Sequence, residues 1–214
     1  MTEPDITAAL AAIPLFPLQE AVLLPGATMP LHVFEPRYRQ LVKDALASHR
    51  CLSIVRVPDG GADMSGNPEI CSVAGIGAIV DHQELPDGRF HLLVVGRERA
   101  KLDELPFVPP YRRAAATVLR SVEREVPKSE VAALHAAITG FVRSVREVSP
   151  TFDPELPEAP ALGPFCDLCA ARLVLTGSAR QELLEVLDVR ERVRVLTETL
   201  ALQAHLTPSR QSLN

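Results

Sequence analysis

The chain has 214 residues, 47% of them apolar, with 22 basic and 27 acidic side chains and a net charge of −5. That length suits one large domain or two small ones, with a core that needs no staples. Acidic groups outnumber basic ones on both sides of residue 126, which argues against nucleic-acid affinity built on phosphate neutralisation, and no run approaches 18 uninterrupted apolar residues, so no membrane span is expected.

The N-terminus, MTEPDITAAL, is acidic where a signal peptide would be basic, so a cytoplasmic location is expected and the four cysteines read as reduced thiols. Residues 1–12 are expected to be a flexible end. From Ile13 to Tyr38, short apolar runs broken by Pro and Gly read as brief strands joined by tight turns. Pro25-Gly26 fits a type II turn, because Pro fixes φ near −65° and Gly accepts positive φ. Pro36 lacks an N–H and belongs at the first position of a helix, so a strand ends at Phe34 or Glu35 and a helix runs to about Ser48. Cys51–Val57 is the next strand. Pro58–Pro68 is a loop rich in Gly, Asp, Asn and Pro. Ile70–His82 is a long strand whose Gly75 and Gly77 suggest a bulge or a close backbone approach. Pro86-Asp87-Gly88 turns the chain into Arg89–Val95, whose unbroken apolar character predicts burial on both faces. Ala114–Val122 is the last strand candidate. Short strands with glycine bulges predict a small, partly closed barrel over residues 13–126.

From residue 127 the pattern becomes helical. Val131, Leu134, Ile138, Phe141, Val142, Val145 and Val148 follow three-and-four spacing, which predicts one long helix with Arg143, Arg146 and Glu147 on its wet face and the strand region as the nearest surface to pack on. Residues 149–164 hold five prolines and read as a stiff linker. A helix over about Phe165–Leu175 is expected to stop at Gly177. Ser178 with Gln181, and Asp188 with Glu191, mark helix starts near 179 and 189. Residues 127–206 are thus a helical subdomain and 207–214 a flexible end.

Several of these segments together resemble a known family. PLFPL, LLPG, PLHVFEPRYR and LVKDAL are similar to the start of the Lon N-terminal domain, the substrate-recognition domain of the ATP-dependent Lon proteases. Gly75–Val80 resembles its central strand, Leu85–Arg89 its hairpin turn, Gly96-Arg97-Glu98-Arg99 its Gly-x-x-Arg, and Pro110-Tyr111 its Pro-Tyr element. Gln181–Glu185 with Asp188 resembles its helical part. The resemblance implies an α+β fold, a PUA-like partly closed β-barrel followed by an α-helical subdomain. It also implies recognition of unfolded or damaged polypeptide, with any ATPase or protease acting as a separate partner. The ATPase and Ser-Lys peptidase modules of full-length Lon have no room in 214 residues, so a stand-alone domain is expected.

The chemistry in the sequence is sparse. None of the three lysines, Lys43, Lys101 and Lys128, follows a glycine, so there is no phosphate-cradling Gly-Lys-Ser/Thr. A Gly-x-Ser-x-Gly elbow is missing, and Gly75-Ile76-Gly77 lacks the third glycine of a dinucleotide site. No catalytic residue, cofactor or metal is expected. Cys166-Asp167-Leu168-Cys169 has the spacing of half a zinc knuckle or a redox pair, but Cys51 and Cys71 offer no matching pair, and two small residues packed in a helix is the simpler account. The six histidines show no His-x-x-x-His spacing, so a metal site would need long-range assembly. Asp59, Asp63 and Glu69 belong to a solvated loop.

Phe34-Glu35-Pro36-Arg37-Tyr38 supports two readings. In one, Arg37 and Tyr38 border a peptide groove, because aromatic and Arg side chains supply much of a typical contact energy. In the other, Glu35 caps the helix, Arg37 pairs with a carboxylate on the barrel and Tyr38 covers the core. Arg97 and Arg99 either flank the same site or face water. Phe34, Glu35, Arg37, Tyr38, Arg97 and Arg99 are therefore the candidate peptide-binding residues. The expected function is non-catalytic recognition of unfolded polypeptide. RNA binding through the PUA-like barrel, and a small-ligand pocket or cryptic hydrolase, are the alternatives.

Overall fold

The computed structural model describes residues 3–60, 67–156, 159 and 161–206. It divides into two compact units, Met1–Leu119 and Arg120–Asn214. Asp63, Pro157, Pro160 and the expected flexible end at 207–214 lie outside the described residues.

Among the described residues the first unit carries six strands, β1 (Ile13–Leu18), β2 (Thr28–Val33), β3 (Cys51–Arg56), β4 (Val73–Glu84), β5 (Phe90–Glu104) and β6 (Arg113–Val118), with helices α1 (Ile6–Ala9) and α2 (Pro36–Ala47). The sheet order is β2-β5-β4-β3-β1-β6, and β6 also pairs with β5. Five strands thus form a ring of pairings, and β2 is attached to it through β5. Only β1 and β3 run parallel. With the helices of the second unit this is the mixed α+β class that the sequence predicts.

Local chemistry explains the elements. Pro36 occupies the start of α2, where its missing N–H costs nothing. Gly26 has φ +79° and the Ala27 N–H donates to the Leu24 carbonyl at 3.1 Å, closing the turn that Pro25-Gly26 predicts. The strand glycines serve close approach. A Cβ at Gly75 would overlap the Leu23 carbonyl oxygen, and one at Gly96 the Leu24 carbonyl oxygen. The Leu23-Leu24 segment therefore lies directly on the sheet, and the β4–β5 register shifts at Ile76/Gly77 and again at Ile79/Asp81. One apolar core gathers Phe16, Leu23, Tyr38, Leu41, Phe90 and Val94; a second gathers Ile13, Leu15, Val55, Ile76 and Leu102.

Burial on both faces of Arg89–Val95 is corrected. Phe90, Leu92 and Val94 are buried, but His91 and Leu93 face solvent. The strand alternates because its outer face is left open. It also continues to Glu104, well past the expected end.

The second unit holds α3 (Lys128–Val148), α4 (Leu162–Leu173), α5 (Gly177–Glu185) and α6 (Val189–Leu206). Leu134, Ile138 and Phe141 form the buried face of α3. Its main partner within this unit is α6. Gly177 does not end a helix. It opens α5, whose cap is Thr176, with Oγ1 accepting the Ala179 N–H at 3.3 Å. Two hydroxyls compete for that cap, and Ser178 instead donates to Thr176 Oγ1. Asp188 caps α6 as its spacing predicts, accepting from the N–H groups of Arg190 at 2.9 Å and Glu191 at 3.2 Å.

Candidate functional site

A cleft of about 240 Å³ opens on the first unit. Leu15 and Pro17 of β1 form its floor, Arg37 and Tyr38 of α2 one wall, and Phe107, Pro110, Tyr111 and Arg112 of the β5–β6 connection the other, with Asn67 at its margin. The main chain at both ends of that connection is held: Leu105 N–H donates to the Arg113 carbonyl at 2.9 Å, and Leu15 N–H donates to the Arg112 carbonyl at 2.9 Å.

Four of the wall side chains, Arg37, Tyr38, Tyr111 and Arg112, are held by partners behind them. The Tyr38 ring is 7% exposed and stacks on Phe16 with centroids 4.5 Å apart. The Arg37 guanidinium sits 4.6 Å from the Tyr38 ring centre and donates through Nε to Glu35 Oε2 at 3.0 Å. Burial raises the Tyr38 hydroxyl above its usual range, against the pull of Arg37. The Tyr111 hydroxyl donates to Asp44 Oδ2 at 2.7 Å, and burial followed by Asp44 pushes its pKa to about 12. Arg112 clasps Glu104 with two bonds of 2.6 and 2.7 Å and also donates to the Pro68 carbonyl at 2.7 Å. That pairing holds the Glu104 carboxyl below its usual range. The result is a rigid aromatic slot whose two arginines are already neutralised. Phe107 stands at its lip, 60% exposed.

The structure brings Arg37 and Tyr38 of the sequence-predicted set into this cleft. Glu35 stands behind Arg37 and makes no side-chain cap to α2. The carboxylate that Arg37 pairs with is this neighbour. Phe34 is 60% exposed and points outward beside His32, with ring centres 6.1 Å apart. Arg97 is exposed on β5 and lies outside the lining. Arg99 is 2% exposed, opposite Gly75 in the sheet, and offers no side-chain surface to a ligand. Phe107, Tyr111 and Arg112 were missed by residue chemistry. The signal was a Phe-Val pair between prolines (Pro106-Phe107-Val108-Pro109), an apolar step in a segment too proline-rich to be a core strand.

The thiols of Cys51, Cys166 and Cys169 are quiet. Cys166 and Cys169 are buried on α4, and burial pushes both thiols to about 12. Burial raises Cys51 to about 11. Such thiols stay protonated at neutral pH and are poor nucleophiles.

Residues 12–201 match the family model described as the ATP-dependent protease La (LON) substrate-binding domain. The chain is 27% identical to a Lon protease of Heliobacterium modesticaldum over 99% of its length, and 30% identical to one of Roseiflexus castenholzii over 89%. It spans only 26% and 24% of those proteins. Among solved structures, it is similar to a Lon N-terminal domain protein from Xanthomonas campestris, with TM-score 0.64, 21% identity and 88% of this chain and 98% of that chain covered. The N-terminal domain of a Mycobacterium avium complex Lon protease gives TM-score 0.57 at 20% identity, covering 89% and 98%.

Proposed function

The chain belongs to the Lon substrate-binding domain family, and from that premise we propose that it recognises unfolded or damaged polypeptide without itself breaking a bond. The observation that carries this reading is the aromatic cleft of Tyr38, Phe107 and Tyr111. An extended segment of a client lays one large apolar side chain into it. Aromatic walls held by Phe16 and Asp44 give contact area at little cost in side-chain entropy. Arg37 and Arg112 are neutralised by Glu35 and Glu104, so the slot makes no demand for a charged client, which suits a receptor for many sequences. Exposed Phe34 extends the contact to flanking residues, while Glu35 acts by holding Arg37.

The buried, protonated thiols of Cys51, Cys166 and Cys169 fit a binding role. The chain delivers or holds a client for a separate ATP-dependent protease in the cytoplasm.

The test is site-specific photo-crosslinking. Phe107 is replaced by a photo-reactive phenylalanine, and the purified chain is illuminated with one probe protein in its native form or in a reduced, carboxymethylated and permanently unfolded form. The reading predicts adducts with the unfolded form only. Equal labelling of both forms, or no labelling of either, overturns it.

A further inference from the structure

Two histidines far apart in the chain meet on the open face of the sheet. The antiparallel register of β2 and β5 sets His32 directly opposite His91. On the next strand Gln83 stands opposite His91, so His32, His91 and Gln83 make one exposed row across three strands. The imidazole centres are 4.8 Å apart and their planes are inclined at 56°.

That separation is compatible with a shared ion. A transition metal about 2.0–2.1 Å from a ring nitrogen stands roughly 3.2 Å from that ring's centre, so two rings on one ion at about 90–110° have centres about 4.5–5.2 Å apart. Among the described residues the one other ring against this pair is Phe34, whose centre is 6.1 Å from that of His32. Among the described residues their only polar contact is Arg89 Nη1, at 3.4 Å from His32 Nε2. Arg89 is itself held through Nε by Asp87 at 2.6 Å, so its charge is compensated and one nitrogen of His32 and both of His91 stay available. Asp81, two residues before Gln83, adds a carboxylate to the same exposed face.

We propose that His32 and His91 form an open two-imidazole site for a divalent transition cation, with affinity in the order Cu²⁺ > Ni²⁺ > Zn²⁺. Water completes the coordination, since no three His, Cys, Asp or Glu side chains group as a metal cage among the described residues. The ion ties β2, which pairs with the sheet only through β5, to its neighbour. Occupancy therefore stiffens the strand that leads into Phe34 and the start of α2. This proposal stands apart from peptide recognition, and its test does not use a peptide.

The experiment is calorimetric titration of the metal-free chain with CuCl₂, NiCl₂ and ZnCl₂ at pH 7.5 and 5.5, repeated on His32→Ala, His91→Ala and Cys71→Ser. The third variant controls for the half-buried thiol at residue 71. Both histidines are exposed, so their variants are expected to keep the parent's circular dichroism spectrum in EDTA. The proposal predicts one Ni²⁺ per chain at pH 7.5, at least tenfold weaker binding in each histidine variant, unchanged binding in Cys71→Ser, and weakening at pH 5.5 as protons compete for the ring nitrogens. Bound Ni²⁺ should also slow hydrogen exchange of the β2 amides in the parent and not in His91→Ala. Binding that survives either histidine substitution, or that disappears in Cys71→Ser instead, overturns it.

Discussion

At the centre of the strand-rich unit the carbonyls of Leu23 and Leu24 rest against Gly75 and Gly96, and the surrounding core is apolar. At the centre of the helical unit sits a guanidinium. Arg192 has no exposed surface; it donates to the Val186 carbonyl at 2.7 Å and to Ser121 Oγ at 3.0 Å, and pairs with buried Asp167 at 3.3 Å. One unit closes by removing side chains so that backbones can touch. The other closes by burying a charge and satisfying it with carbonyls at the α5–α6 corner. The first device tolerates no added atom and the second tolerates no missing one. Damage to either should therefore be selective in kind.

The largest effect expected is in the helical unit. Arg192→Ala leaves Asp167 buried without its cation, and loss of one partner of a buried pair costs about 3–5 kcal/mol. Urea unfolding followed by circular dichroism should show the helical signal lost at lower denaturant. The double variant Arg192→Met/Asp167→Leu should recover much of the loss, because no charge is then stranded. In the strand-rich unit, Gly96→Ala forces a methyl into the Leu24 carbonyl, and overpacking of this kind costs about 1–3 kcal/mol. The same substitution at Gly140, whose Cβ would meet nothing within 4 Å, should instead stabilise α3 by up to about 1 kcal/mol. A Gly96→Ala protein as stable as the parent would refute the close-approach account.

Smaller effects sharpen the contrast. Tyr111→Phe removes the bond to Asp44 while keeping the ring, and should cost about 1 kcal/mol of stability with client binding reduced less than by loss of Phe107. The smallest effect is electrostatic. Hydrogen bonds from Arg190, then Arg194, lower the Glu130 carboxyl from 4.5 to about 2. A depressed carboxylate adds stability that is full above the unfolded value and lost as pH falls from about 4.5 toward 2. The helical unit of Glu130→Gln should therefore show a shallower acid limb than the parent between those values, read by circular dichroism at stepped pH.

Much of this was legible in the sequence because it rests on local rules. Pro25-Gly26 and Pro36 declare their backbone geometry, Asp188 declares a cap, and the three-and-four spacing of α3 declares its buried face. Gly75 announces a close approach, though only the fold shows that Leu23 makes it. What the sequence hid depends on which residues meet across the chain. Arg192 reads as one more charge on an amphipathic helix until the α5–α6 corner folds around it. Gly177 lies between two possible caps, Thr176 and Ser178, and the structure uses Thr176. Half of the cleft was visible in Arg37 and Tyr38. The other half comes from Phe107 to Arg112, a proline-rich connection with no periodicity to read. Phe34 and Glu35 follow the end of β2, and Arg97 falls where the β4–β5 register shifts, so Arg97 is exposed and Arg99 buried although they stand two apart, which spacing alone does not say.

The central claim is that the slot beside Tyr38 holds apolar side chains of unfolded polypeptide. Fluorescence anisotropy of a labelled, carboxymethylated protein, titrated with the parent chain and with Phe107→Ala, tests it directly. Phe107 is exposed enough that its removal should leave the fold intact. The account predicts saturable binding by the parent that changes little with salt, and at least tenfold weaker binding by the variant, a difference of about 1.4 kcal/mol. Equal affinity of parent and variant for the unfolded protein would contradict it.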